Sequence, residues 1–185
     1  MKINCAAKYA YALENEKIIK EKELMIIKYA NEEDIAAIAA VEAECFPPAE
    51  AATAKEFVDR VKYYGNHFWL MYEAEKLIAF VDGFVTDERD LTDVMYEDAT
   101  LHNENGAWQM IFGVNTLPEY RNNGYASELL RRAVDEARGQ GRKGVVLTCK
   151  DKLLPFYARL GFVDEGVTDK STHGNAVWHQ MRIIF

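Results

Sequence analysis

Ile111-Phe112-Gly113-Val114-Asn115-Thr116-Leu117-Pro118-Glu119-Tyr120-Arg121-Asn122-Asn123-Gly124-Tyr125-Ala126-Ser127-Glu128-Leu129-Leu130-Arg131-Arg132 is the stretch on which the fold turns. It closes a strand running from Ala107 to Thr116, breaks at Pro118, and passes through a polar turn into a helix. Leu129, Leu130, Ala133, Val134 and Ala137 form that helix's apolar stripe. A turn feeding a helix leaves backbone N–H groups without intrahelical partners, and the helix dipole adds positive potential. Such a place favours an anion of the pyrophosphate type. Gly124 admits close backbone approach, small Ala126 keeps the entrance clear, and Arg121 adds a fixed positive charge. The stretch lacks the Gly-Lys-Ser/Thr of a P-loop and the three glycines of a dinucleotide fingerprint. On the residues alone, an ordinary strand–turn–helix with one helpful glycine stands beside the anion-binding reading.

Upstream, Met25 to Tyr29 reads as a strand. Asn31 with Asp34 offers a cap for a helix carrying Ile35, Ile38, Val41 and Cys45, which Pro47 and Pro48 end. Thr53 and Glu56 form a capping box for a second helix with Phe57, Val61 and Tyr64 on one face. His67 to Glu73 and Leu77 to Thr86 read as a hairpin, followed by an acidic, turn-rich segment from Asp87 to Asp98 with one turn of helix. Downstream, Val145 to Cys149 is a strand, and Asp151 is placed to cap a helix that Gly161 stops. Phe162 to Val167 and Ala176 to Phe185 are the last strands. The order β-α-α-β-β-β-α-β-α-β-β predicts a mixed α/β domain with one central sheet over residues 25–185. Residues 1–24, a mixed-charge run, read as an N-terminal extension, disordered or helical, with Met25 as a candidate biological start.

The chain has 185 residues, enough for one full domain, with 49% hydrophobic residues to build its core. Its net charge of −8 argues against nucleic-acid and anionic-membrane partners. No apolar run reaches the ~20 residues of a membrane span, and no signal peptide is evident, so a cytoplasmic protein is expected. Three widely spaced cysteines suit neither a disulfide framework nor a zinc site, and no metal is expected.

Arg121-Asn122-Asn123-Gly124-Tyr125-Ala126 resembles the Arg/Gln-x-x-Gly-x-Gly/Ala motif of the GNAT superfamily of N-acetyltransferases. Val146 to Lys150 and Leu154-Pro155-Phe156-Tyr157-Ala158-Arg159-Leu160-Gly161-Phe162 are similar to the arylalkylamine (serotonin-type) branch. The resemblance covers residues 25–185 and implies a mixed, mostly antiparallel twisted sheet, its fourth and fifth strands splayed, flanked by about four helices. It implies acetyl-CoA as co-substrate, the pyrophosphate held by Arg121 to Ala126 and the pantetheine arm along Phe112, Gly113 and Val114. A backbone N–H in the gap would polarise the thioester carbonyl. Phe156 belongs to the same cofactor side. Family members are often dimers, and the strand ending at Phe185 is expected to pair across such an interface.

The implied reaction is direct attack of a free primary amine on the acetyl thioester in a ternary complex. Freeing the lone pair of an alkylamine at neutral pH costs roughly 4–5 kcal/mol, so the site should help remove a proton. Tyr157 matches the family tyrosine that protonates the leaving thiolate; on spacing alone it is a packed aromatic beside Leu153, Phe156 and Leu160. Animal arylalkylamine enzymes carry a His-x-His pair where this chain has Trp108-Gln109-Met110-Ile111. A base would then be water, an acid, His102 or His173; His67 and His179 suit surface or packing roles better. The loop at Phe46 occupies the family's substrate-loop position, and Phe46, Trp108 and Met110 are candidates for an apolar slot, with core packing as the plain alternative. An arylalkylamine leads as acceptor, followed by polyamines, aminoglycosides and protein amines. A catalytically silent CoA-binding domain is the alternative from another class.

Overall fold

The computed structural model describes residues 25–172, 174 and 176–185; the expectations for residues 1–24 and His173 lie outside the described residues. The elements are β1 (Met25–Tyr29), α1 (Ile35–Cys45), α2 (Ala54–Tyr64), β2 (Phe68–Glu73), β3 (Lys76–Asp82), β4 (Val85–Thr86) and α3 (Val94–Glu97). They continue with β5 (Trp108–Ile111), β6 (Gly113–Thr116), α4 (Tyr125–Gly139), β7 (Gly144–Cys149), α5 (Leu154–Ala158), β8 (Val163–Val167) and β9 (His179–Ile184).

Both expected caps form. Asn31 and Asp34 exchange hydrogen bonds at the 3₁₀ turn leading into α1, and Thr53 and Glu56 do so at the start of α2. Two strands expected as continuous are each broken. Gly83 and Phe84 separate β3 from β4, with glycine required at 83 because a Cβ there would collide with Met110 O, and Phe112 separates β5 from β6. Asp151 does not cap the last helix: α5 has no side-chain cap, and Asp151 Oδ1 instead lies 3.0 Å from His179 Nε2. Pro155 sits in the first turn of α5, and Gly161 follows it with φ +94°, as expected.

The strands form two sheets, ordered β1-β2-β3-β6 and β4-β5-β7-β9-β8. Among the described residues only β5 and β7 run parallel, and every other pairing is antiparallel. Strand alternation splits the core. Phe68, Leu70, Phe80 and Val146 face α1 and α2, while Trp69, Met71, Ala79, Val81, Val145 and Leu147 face α4. The architecture is mixed and helix-flanked, as the element order predicts, but the expected single central sheet is divided in two because the chain changes strand partners at Phe112.

The expected pairing of the last strand across an interface also fails. β9 is bonded on both edges, to β7 and to β8, so the final strand has no edge for a second subunit. Among the described residues, no helix is long and apolar enough to cross a membrane.

Candidate active site

The site forms where one strand changes sheets. β5 pairs with β7 through Ile111 opposite Leu147; beyond Phe112 the chain turns away, and β6 pairs only with β3. The edge of β6 facing β7 is left without a strand partner. Phe112 N–H donates to Asp82 O at 2.8 Å, which fixes the turning point. Gly113 is required there, because a Cβ would collide with Asp82 Oδ1 and lie 2.9 Å from Asn115 Nδ2.

β6 leads directly to the expected anion-binding turn. Asn122 and Gly124 adopt positive φ, +66° and +88°, and Asn123 Nδ2 donates to Tyr120 O at 3.1 Å. Gly124 is the N-cap of α4, and Glu128 N–H donates back to Gly124 O at 3.0 Å. The Ala126 and Ser127 amides ahead of it have no intrahelical acceptor. A Cβ on Gly124 would meet nothing within 4 Å, so the helix N-terminus opens onto clear space. Arg121 is exposed, its Nε donating to Thr116 O at 3.1 Å, which stations the guanidinium beside the turn. Half-buried Tyr125 begins the helix, 6.5 Å from the Tyr120 ring. This cradle fits a pyrophosphate.

Between β6 and β7 lies a cleft of about 390 Å³. Ile111 to Val114 form one wall, Leu147, Thr148 and Cys149 the other, and Phe46, Tyr96 and Trp178 add aromatic surface. Lys150 Nζ, 2.7 Å from Glu50 Oε1, ties the loop after α1 to the end of β7. Glu42, Arg60 and Asp82 reach the cleft from α1, α2 and β3. Burial and then the nearby Asp82 charge push Glu42 up to about 7. Burial pushes Asp82 up to about 6, with the Arg60 guanidinium pulling the other way.

Tyr157 lines this cleft at 6% exposure, its ring between Phe156 and Phe162 at 4.9 and 5.9 Å. Burial first, then Cys149 and Tyr96, hold its hydroxyl well above the usual tyrosine range, so it stays protonated. Tyr96 is pushed up to about 12 by burial and shares a 3.1 Å hydrogen bond with Thr148 Oγ1. Half-buried Phe156 packs on the α4 side of the sheet and does not line the cleft.

Two expected substrate residues lie elsewhere. Met110 is fully buried in the core facing α1 and α2, because its alternation in β5 turns it away from the opening. Trp108 sits at the other end of β5, under the Arg182 guanidinium at 4.7 Å. Phe46 alone of the three reaches the cleft.

The described histidines lie outside it too. Val85 N–H donates to His102 Nδ1 at 3.2 Å, which puts the neutral ring's proton on Nε2, 3.4 Å from Glu104 Oε2. Burial and the neighbouring His67 hold His102 below its usual range. His67 Nε2 meets the same Glu104 oxygen at 3.0 Å, and His179 pairs with Asp164 and Asp151.

The sequence reading passed over Glu42, Arg60 and Asp82. Their signal was present: each is a charged residue on an apolar stripe. Glu42 falls between Ile38 and Cys45, Arg60 between Phe57 and Tyr64, and Asp82 ends the apolar run Leu77 to Val81.

The Acetyltransferase (GNAT) family model matches residues 26–162. Serotonin N-acetyltransferase of Mesocricetus auratus is 33% identical over 92 residues, covering 49% of this chain and 43% of that protein. The match therefore spans less than half of that relative. The loading GNATL domain of CurA from Lyngbya majuscula superposes with TM-score 0.75 at 17% identity, covering 86% of this chain and 97% of that one. The GphF GNAT-like decarboxylase in complex with isobutyryl-CoA gives 0.74 at 20%, covering 86% and 98%. These two likenesses establish a shared fold.

Proposed function

The chain belongs to the acetyltransferase (GNAT) family, and on that premise we propose that it transfers an acetyl group from acetyl-CoA to the primary amine of a small molecule. The observation that carries the reading is the parting of β6 from β7 beside a helix N-terminus that opens onto clear space. Arg121 and the turn through Ala126 would hold the pyrophosphate, and the unpaired edge at Phe112 to Val114 would take the pantetheine arm as an added strand. When bound, acetyl-CoA supplies an acyl group activated as a thioester and a thiol leaving group. Tyr157, protonated and buried, is the proton donor to sulfur.

The acceptor we favour is an arylalkylamine. Phe46, Tyr96 and Trp178 line the cleft with aromatic surface suited to an aromatic ring, and the carboxylates attract a cationic amine. The Glu50–Lys150 bridge holds the loop after α1 to the end of β7, which supports a small molecule over a peptide. The test is thiol release from acetyl-CoA against tryptamine, phenethylamine, spermidine, an aminoglycoside, lysine and a lysine peptide. Selective turnover of the arylalkylamines is expected. Turnover of another amine alone would change the acceptor class; acetyl-CoA binding without turnover would favour a silent CoA-binding domain.

A further inference from the structure

Glu42, Arg60 and Asp82 converge from three separate elements on the point where β6 leaves β7. They are nearly sealed from solvent, at 5%, 7% and 1% exposure. Burying an ionisable group is unfavourable unless it is paired, and one guanidinium cannot neutralise two carboxylates. Arg60 turns to Asp82, with Nη1 3.5 Å from Oδ2, and to Tyr96 O, 2.9 Å from Nη2. Glu42 receives the Ala52 N–H at 3.1 Å on Oε1, and the Arg60 charge and the Asn115 amide also favour its ionised form. Of the other charged groups lining the cleft, Glu56 bonds Thr53, Glu50 pairs with Lys150, Asp93 accepts from Ser171 and Thr172, and Glu97 completes the set. Fully buried Asn115 adds its side-chain amide to the cluster, and its Nδ2 lies 2.9 Å from where a Cβ on Gly113 would sit. A carboxylate that shares its one nearby guanidinium with Asp82 thus lines the cleft.

We propose that Glu42 is the proton acceptor for the substrate's ammonium group, acting through Oε2, with Asp82 and Arg60 as its positioning residues. The proposal rests on the reading of the cleft as an amine-acetylating site. An alkylammonium gives up its proton near pH 10.4, roughly six pH units above an ordinary glutamic acid. Burial and Asp82 bring Glu42 to about 7, which narrows that gap by nearly half. One proton passes from nitrogen to Glu42 Oε2, and the freed lone pair forms the C–N bond as the C–S bond breaks. The second proton lost from nitrogen balances the one sulfur gains. Glu42 returns its proton to solvent, so each turnover releases one.

The test uses Glu42→Gln, which keeps the shape and the acceptor for Ala52 N–H, and Glu42→Asp. In the protein without acetyl-CoA, infrared difference spectra between about pH 5 and about pH 9 should show a protonated-carboxyl band component that Glu42→Gln lacks. Identical spectra overturn the proposal. In turnover, wild-type kcat/KM for phenethylamine should climb through an acid limb near pH 7. Glu42→Gln should abolish the limb and lower kcat/KM on the order of 100-fold, with acetyl-CoA affinity unchanged. Glu42→Asp should retain the limb at a reduced rate. A limb that survives in Glu42→Gln overturns the role of Glu42 and leaves the acetylation reading standing. Wild-type protein that binds acetyl-CoA but turns over no amine removes that reading and the proposal together.

Discussion

Gly113 and Asp82 are register partners across β6 and β3, so close that a methyl group on Gly113 would collide with the Asp82 carboxylate. Gly113→Ala must therefore displace either the carboxylate or the strand that forms the cleft wall. Overpacking of this kind costs about 1–3 kcal/mol. A lower denaturation midpoint and weaker acetyl-CoA binding by calorimetry are the expected outcomes. A variant with wild-type stability would show that the contact relaxes freely.

At Gly124 the constraint is conformational, since its φ is +88° and no atom crowds its Cβ position. Gly124→Asn should be tolerated, because asparagine visits the left-handed region. Gly124→Glu places a negative charge over the helix N-terminus and should raise the acetyl-CoA Kd at least severalfold. Equal Kd values for the two variants would argue against an anion cradle at this turn.

Tyr157→Phe removes a hydroxyl and leaves the packing against Phe156 and Phe162 in place. The expected result is a 10- to 100-fold fall in kcat, on the order of a lost proton donor, with acetyl-CoA affinity nearly constant. Because the Tyr157 hydroxyl is held above the usual tyrosine range, its proton should impose no alkaline limb below about pH 10. An unchanged kcat under conditions where chemistry limits turnover would remove Tyr157 from the donor role.

Stability should respond to pH in two opposite windows. Glu42 and Asp82, raised by burial to about 7 and about 6, bind protons more tightly folded than unfolded. Stability therefore falls as pH rises from their unfolded values to the folded ones. Asp90 is lowered to about 2 by Lys170, Gln180 and Arg182. Glu104 is held at about 2, against the upward push of burial, by Asn66, His67 and Arg142. Their contribution is present above about pH 4.5 and lost as pH falls toward 2. Thermal midpoints should peak near pH 5, and Glu42→Gln should flatten the decline from about pH 5 to about pH 7. A variant as steep as wild type would locate the titration elsewhere.

Much of the fold was legible because its signals are local. The capping residues at Asn31 and Thr53, the prolines after Cys45 and the stripe of α4 each depend on a few neighbours in sequence. The turn around Gly124 was legible for the same reason. Phe112 was not, because the break in that strand is imposed by Asp82 O and by the different partners of β5 and β6. Trp108 and Met110 were misplaced because an aromatic or apolar residue in a strand does not announce which face it takes. Glu42 was missed because α1 was read for its apolar residues, when the informative one was the carboxylate among them.

The change of partners at Phe112 also divides the chain in time. Every strand of the first sheet lies within residues 25–116, whereas β5, with β4 on one edge, waits for β7 on the other, and β7 for β9, which ends at Ile184. On a chain synthesised from its N-terminus, the first sheet can pair while the second is still unmade. Glu42, Arg60, Asp82 and Gly113 are then already in place, facing a wall that does not yet exist. Ligand capture in the cleft is thus coupled to the arrival of the last strands, and a bound ligand would hold the two halves of the chain together once both have emerged.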